Sequence, residues 1–365
     1  MLKVQEWLQK NDNNFEVLKE EYGIKFNLYE DRVVLNYSQI ECDKFDSIAQ
    51  ECRALILHFP DTSKIMSRAF DRFFNYNEDP LSESFDVSKA TIYEKADGSL
   101  ISVYSDEKDL CISTRSMAFA EGETVHGPSY RDLVFRAKPK LFQNIKKYFS
   151  EEYIQNITFI FELCTPENRV VKQYNSDKLF LLGIRHKHTG TYVHDWDVDS
   201  IADQLGVDRP EELCFNKIST IMKHLGTLPV MDEGYVCNWD NWRIKIKNPA
   251  YLAIAHLREN GVISPKRICK LLFLEDVQEY LSYFPEDYKF FLPYMKAYID
   301  FRENLNYIWL CNKDVEDQKE FAMQVKDTEI SGFLFGFKRG YKYEDMIAKT
   351  SDNRKLELLT YYMEE

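Results

Sequence analysis

The sequence predicts an α+β fold, with antiparallel sheets and flanking helices over residues 1–248 and an all-helical region over residues 249–365. Three observations predict it. Up to about residue 248 the chain is a succession of short alternating or apolar runs of strand type. Beyond Asn248-Pro249 a helical period takes over and persists to the end. No repeat, low-complexity tract or long Gly/Ser linker separates the two regions, so two closely packed domains are expected, and 365 residues suffice for two cores.

In chain order, Met1–Leu8 reads as a short amphipathic helix without the long apolar core of a signal peptide. Strands are predicted over 31–37, 52–59, 64–70, 91–94, 100–104, 110–114, 158–164, 179–184, 235–238 and 242–246. Helical patterns fall over 130–149, after Asp197, and over 211–225. In the second region Tyr294, Tyr298, Phe301, Leu305 and Ile308 recur at intervals of four, three, four and three. That spacing predicts one face of a helix beginning near Pro293.

A net charge of −13 argues against a protein that holds nucleic acid over its whole surface, though not against a local basic groove. The 23 Tyr and 25 Phe supply cores and also flat faces for stacking bases. The eight cysteines are scattered singly with no Cys-x-x-Cys pair, the usage of a reduced cytoplasm, and a cytoplasmic location is expected. No apolar run approaches membrane-spanning length, so no membrane partner is expected.

The chemistry concentrates in an ordered set of short motifs. Lys95-Ala96-Asp97-Gly98-Ser99-Leu100 has the form Lys-x-Asp-Gly, in which adenylate-forming ligases and capping enzymes use the lysine to attack a nucleotide α-phosphate. It follows the strand-like stretch 91–94, and Gly98 permits a tight turn into the next strand, fixing the lysine at the floor of a cleft. Such a lysine must be neutral to attack, and deprotonating an unperturbed one at pH 7 costs about 4.6 kcal/mol. Neighbouring cations supply such a shift, and Lys245 and Lys247, alternate residues of one predicted strand, are the candidates. The same pair could hold the α-phosphate. Glu162 ends an apolar strand, where a carboxylate needs a partner such as a ribose hydroxyl. Glu233, ahead of Gly234-Tyr235-Val236, is placed to bind a divalent metal. Val236 could pack beneath a base, and Glu94, beside the lysine, falls in the same nucleotide site. His186, His188 and His194 read as a hairpin tip rather than a metal site, and Ser99 has no histidine placed by sequence as its base.

Together these residues resemble the RNA ligase 1 family of T-even-like bacteriophages, a branch of the covalent nucleotidyltransferases. Motif I is matched by 95–100, the Phe-Glu element by Phe161-Glu162, motif IV by 233–236 and motif V by 245–247. More specific to the branch are Glu51-Cys52-Arg53, the run 73–78 (Phe-Phe-Asn-Tyr-Asn-Glu) and the run 166–171 (Pro-Glu-Asn-Arg-Val-Val), with a further match in 332–336. The resemblance implies a nucleotidyltransferase (adenylation) domain over 1–248 and a helical RNA-specificity domain over 249–365. It implies ATP and Mg²⁺, with Mn²⁺ an alternative, and RNA carrying 5′-phosphate and 3′-hydroxyl ends, with a nicked tRNA as the natural task. Three steps are implied: Lys95 takes AMP, AMP passes to the RNA 5′-phosphate, and the 3′-hydroxyl displaces it. By the same resemblance Arg53 touches the triphosphate, Glu162 the ribose, Glu233 the metal, and Lys245 and Lys247 the α-phosphate, while Asp97 assists the later steps. Arg72 and Arg115 stand where the family has lysines, keeping the charge with a different reach.

The competing readings are a DNA ligase or an mRNA-capping guanylyltransferase, both of which usually follow motif V with a β-rich OB-fold, and an inactive nucleic-acid-binding relative. Helical periodicity after motif V favours the RNA ligase. A chain ending just after Lys247 is expected to retain the nucleotide chemistry.

Overall fold

The computed structural model describes all residues except 77, 79–83, 125–126, 259–262, 275–276 and 365, so Asn77 of the 73–78 run lies outside the described residues. Its elements in order are α1 (Lys3–Lys10), α2 (Phe15–Tyr22), β1 (Ile24–Leu28), β2 (Arg32–Tyr37), α3 (Ser47–Glu51), β3 (Arg53–His58), β4 (Ile65–Ser67), β5 (Phe74–Asn75), β6 (Thr91–Glu94), β7 (Ser99–Ser105), β8 (Leu110–Thr114), α4 (Tyr130–Ala137), α5 (Leu141–Tyr148), α6 (Glu151–Asn156), β9 (Ile157–Cys164), β10 (Lys178–His186), α7 (Asp195–Leu205), β11 (Glu212–Leu213), α8 (Ile218–Leu225), β12 (Gly234–Trp239) and β13 (Trp242–Lys247). Among the described residues helices alone follow: α9 (Pro249–Arg258), α10 (Pro265–Leu274), α11 (Val277–Tyr283), α12 (Tyr288–Asn312), α13 (Gln318–Val325), α14 (Ser331–Lys338), α15 (Tyr343–Lys349) and α16 (Asp352–Glu364). The chain separates into two compact units, Met1–His256 and Leu257–Glu365.

The first unit contains three sheets, ordered β1-β2-β3-β4, β10-β9-β7-β8 and β11-β6-β12-β13-β5, antiparallel except where β5 joins β13 in parallel. Strand alternation gives each sheet a core face. In the third sheet Tyr235, Cys237, Ile244 and Ile246 pack against Ile221 and Leu225 of α8, which turns Val236, Lys245 and Lys247 to the opposite side. In the second, Phe159, Phe161 and Leu163 join the core with α4, α5 and α7, leaving Glu162 on the far face. The first sheet packs on α1–α3 through Leu8, Leu18, Ile48, Leu35 and Leu57.

Three predicted elements differ. The stretch 130–149 is two helices, because Lys138 precedes Pro139, which restricts it away from helical geometry, and its φ of −140° ends α4. The stretch 211–225 divides into β11, which pairs with β6, and α8. Pro293 lies inside α12 rather than at its start, on an exposed position where the carbonyl it leaves unpaired can meet water. In the second unit Phe301 of α12 is fully buried, with ring centroids of Phe273, Phe333 and Tyr362 at 5.5, 5.6 and 5.8 Å. Among the described residues no helix is long and apolar enough to cross a membrane. All eight cysteines are free, five of them buried.

Candidate active site

Lys95 sits where the chain leaves one sheet and enters another. β6 belongs to the third sheet and β7 to the second, so Lys95-Ala96-Asp97-Gly98 bridges them and lines the cleft between. Two glycines permit the crossing. A Cβ on Gly98 would lie 2.2 Å from the Leu163 carbonyl oxygen, and the Gly98 amide donates to Glu162 Oε1 at 3.1 Å. Gly234, at φ +121°, accepts from the Lys95 amide at 2.8 Å, and a Cβ there would lie 2.2 Å from the Ile246 carbonyl. Asp97 anchors the bridge from behind. Its Oδ2 accepts from the amides of Val171 and Lys172 at 2.8 and 2.7 Å, and its Oδ1 from the Tyr251 hydroxyl at 2.7 Å.

A cavity of about 260 Å³ opens above Lys95. One wall is the outward face of β12 and β13, carrying Val236, Lys245 and Lys247; the others bring Glu162, Leu182, Phe73, Arg53 and Arg115. Glu233, only 5% exposed, joins two lysines: Oε2 accepts from Lys95 Nζ at 2.6 Å and Oε1 from Lys247 Nζ at 2.7 Å. Burial alone would discourage a charge on Lys95, but the carboxylates of Glu233 and Glu162 outweigh it and hold its pKa above the ordinary lysine value. The expected depression of Lys95 by neighbouring cations is therefore absent in this state. It falls instead on Lys245, which burial together with Arg53, Lys95 and Lys247 pushes down to about 7. Among the described residues no carboxylate forms an ion pair with Lys245; its ammonium lies 4.9 Å from the Phe73 ring centroid. Glu162 is pushed up to about 7, mainly by burial.

Among the described residues four cations of this cavity form no ion pair: Lys245, Arg243, Arg53, whose Nη1 is buried without a hydrogen-bond partner, and Arg115, 4.8 Å from the Tyr37 ring centroid. Buried unpaired cations are costly unless an anion joins them. Elsewhere on the lining, Tyr93 Oη, Asn238 Oδ1 and Arg209 Nη2 are likewise buried without a hydrogen bond, a mix of donors and an acceptor suited to the edge of a heterocycle.

Of the residues singled out from sequence, Arg53, Glu94, Lys95, Arg115, Glu162, Glu233, Val236, Lys245 and Lys247 all line the cavity. Two do not. Asp97 is turned away into its anchoring bonds, and Arg72 lies 4.3 Å from the Tyr37 ring, donates to Cys42 Sγ at 3.0 Å, and borders a neighbouring groove. Glu94 is ion-paired with Lys172, which also meets Asp232 at 3.0 Å. Sequence reading missed Tyr251, Lys172, Tyr93 and Asn238. The only signal for Asn238 was its place two residues beyond Val236 on the same strand face.

Among the described residues no group of three or more His, Cys, Asp or Glu is placed to hold a metal, and His186, His188 and His194 form none. Glu162 and Glu233 do fit a divalent cation that takes one or two carboxylates and draws its remaining ligands from water and a bound phosphate chain.

The profile of the RNA ligase family matches residues 51–251. A candidate bifunctional polynucleotide kinase/RNA ligase of Autographa californica nuclear polyhedrosis virus is 29% identical over 296 residues, 77% of this chain. This chain spans 42% of that relative's length. An RNA ligase of Rhodothermus phage RM378 is 23% identical over 80% of this chain and 82% of its own. Among solved structures, a Naegleria gruberi RNA ligase variant with AMP and Mn aligns with a TM-score of 0.40 and 16% identity, over 51% of this chain and 57% of that one. The profile covers more than half of the chain, including Arg53 and every residue of the Lys95–Glu233–Lys247 array, and on that ground the chain belongs to the RNA ligase family.

Proposed function

We propose that this protein is an ATP-dependent RNA ligase that works through a covalent Lys95–AMP. The observation that carries the reading is the cavity above Lys95, where a half-buried lysine amine meets cations that have no anionic partner among the described residues and a carboxylate that clamps two lysines.

Lys245 and Arg53 bind and orient the phosphate chain, and Arg115 takes its outer end. Asn238 and Tyr93 supply the unpaired polar atoms for the base, Val236 and Leu182 its apolar faces, and Glu162 the ribose. Lys95 is held as an ammonium by Glu233, so the first task is to release that proton. When Glu233 turns to a new partner, its share of the charge that holds the Lys95 ammonium is lost, burial lowers the Lys95 pKa, and the ammonium passes its proton to solvent to leave the free amine. Nζ then bonds to the α-phosphorus as the bond to the β-phosphate oxygen breaks, and pyrophosphate leaves. Lys245 and Lys247 face the charge that builds on the α-phosphate oxygens. In the second step an RNA 5′-phosphate oxygen displaces Lys95 from the AMP phosphorus. In the third a 3′-hydroxyl attacks the 5′-phosphorus, releasing AMP and sealing the strand. Glu233 and the bound phosphates would hold Mg²⁺, which would supply positive charge at the leaving group. RNA with 5′-phosphate and 3′-hydroxyl ends is the substrate, in the form of a cleaved tRNA in the cytoplasm of a host cell, and residues 249–365 select it.

The test is incubation with α-labelled ATP or GTP and Mg²⁺, followed by denaturing separation. Label from ATP on wild type but not on Lys95→Ala supports the reading; preferential labelling by GTP redirects it to capping, and no covalent label from either refutes it.

A further inference from the structure

A second groove, of about 480 Å³, shares Phe70, Phe73 and Arg243 with the Lys95 cavity. Four arginines line it, Arg68, Arg72, Arg185 and Arg243, against one carboxylate, Asp71. Asp71 is already engaged: Arg185 binds it with both Nη atoms, at 2.9 and 2.5 Å, and Arg68 approaches at 3.4 Å. Nearby Glu51 is held by the amides of Lys3 and Val4. The excess positive charge is thus uncompensated within the groove.

Arg243 is the sharpest case. It is 8% exposed, and its Cζ lies 3.9 Å from the Tyr192 ring centroid and 4.6 Å from that of Phe70, two rings that stack on each other at 5.6 Å. These aromatic contacts supply no hydrogen-bond acceptor, and no described residue accepts a hydrogen bond from the guanidinium. Arg68 Nε is also buried without a partner. Burial pushes the Arg243 pKa down, the mark of a cation lacking its counter-charge. A guanidinium fork of this kind suits a phosphate.

The groove also carries aromatic surface that a simple anion would not need. Phe45 is 45% exposed, packs at 5.3 Å on Phe74, and has the Lys44 ammonium 5.1 Å from its ring centroid. Cations that follow a backbone, alternating with open rings that stack bases, are how proteins hold single-stranded nucleic acid. On a chain of net charge −13, confinement of such a surface to one groove beside the reactive lysine gives it a location and a direction.

We propose that this groove binds the single-stranded end of the RNA substrate, its phosphates on Arg68, Arg72 and Arg243 and a base on Phe45, and leads that end past Phe70 and Phe73 toward Lys95. The proposal rests on the ligase reading above, and the experiment separates the two. Binding of a 5′-phosphorylated single-stranded oligoribonucleotide to the full chain is followed by fluorescence anisotropy across a salt titration. Covalent labelling by α-labelled ATP is measured in parallel on the same preparations. Phe45→Ala should weaken RNA binding about tenfold or more, the loss of one base stack, with nucleotide labelling unchanged. Phe45→Trp should restore binding. Arg68→Gln should weaken binding and lower the slope of log K against log salt by about one. Unchanged RNA affinity in both Phe45→Ala and Arg68→Gln overturns the groove, whatever the labelling shows. So does equal displacement of RNA from wild type and Phe45→Ala by inorganic phosphate alone at millimolar concentration. Failure of the wild type to take label from ATP instead counts against the ligase reading, and leaves the binding comparison to decide the groove.

Discussion

Replacing Glu233 by Gln removes the charge that holds Lys95 and Lys247 while keeping the side chain's shape. The carboxylate is 5% exposed and bonded to both ammonium groups at 2.6 and 2.7 Å; the lysine side chains are 20% and 24% exposed. Removing one member of a buried pair costs about 3–5 kcal/mol. Here partial hydration of the two lysines left behind lowers the expected loss to about 2–4 kcal/mol at pH 7. The loss should depend on pH. Glu233 has its pKa lowered from 4.5, so its contribution is present above 4.5 and disappears as pH falls through the lowered value. Lys95 has its pKa raised from 10.5, so its contribution is present below 10.5 and disappears as pH rises through the raised value. Wild type and Glu233→Gln should therefore differ in urea unfolding between about pH 5 and pH 10 and converge on acidification. The same substitution should lower the Lys95 pKa, because burial is then opposed only by Glu162 and Asp97. Competitive acylation of Lys95 at a series of pH values, read by mass spectrometry, measures that pKa. Faster acylation at pH 7 alongside impaired transfer from ATP is the expected pair of results. An unchanged or raised Lys95 pKa in Glu233→Gln would refute the clamp.

Lys245, with its pKa near 7, should be protonated and phosphate-binding below that value and lose its charge above it. The kcat/KM for nucleotide transfer should accordingly fall as pH rises through about 7, and Lys245→Arg should flatten that limb even where it lowers the rate. Gly98→Ala puts a methyl 2.2 Å from the Leu163 carbonyl and should destabilise by at least the 1–3 kcal/mol typical of overpacking, as well as displacing Lys95; a melting temperature equal to wild type would show that the crossing has slack. Tyr251→Phe should leave Asp97 one hydrogen bond short and cost about 1–3 kcal/mol in urea unfolding. For the same reason a chain ending at Lys247 should lose nucleotide transfer, whereas one ending at His256, which keeps α9 as far as the first unit extends, should retain it; equal activity of the two would remove Tyr251 from the account.

The Tyr251–Asp97 bond goes beyond what the sequence suggested. The sequence suggested that nothing after Lys247 serves the nucleotide site, because helical periodicity begins at Pro249 and the motifs end before it. Instead, the first turn of α9 delivers the hydroxyl that fixes Asp97. The helix α2, by contrast, was legible and overlooked. Asn14 accepts from the Val17 amide as its N-cap, and Gly23 ends it at φ +64°. β5 was not legible at all: two residues, Phe74 and Asn75, become a strand only because Ile244 and Lys245 lie alongside.

The sequence alone determined the succession of strands followed by helices, the lysine at the end of β6, the order of the charged residues after it, and the common face of Lys245 and Lys247. Each is a property of neighbours in the chain, set by hydrophobic period and by the two-residue repeat of a strand. Only the tertiary structure decided which charges meet. Glu233 lies 138 residues from Lys95 in the chain yet holds its ammonium, so a lysine that local reasoning made acidic is kept protonated, and the depressed pKa passes to Lys245. Asp97, beside Lys95 in the motif, is turned away by the amides of Val171 and Lys172, and Arg72 stacks on Tyr37 outside the cavity. Electrostatic effects depend on distance and burial in three dimensions. Spacing along the chain can nominate the residues of such a site, but their protonation and partners follow from the packing of two sheets around one loop.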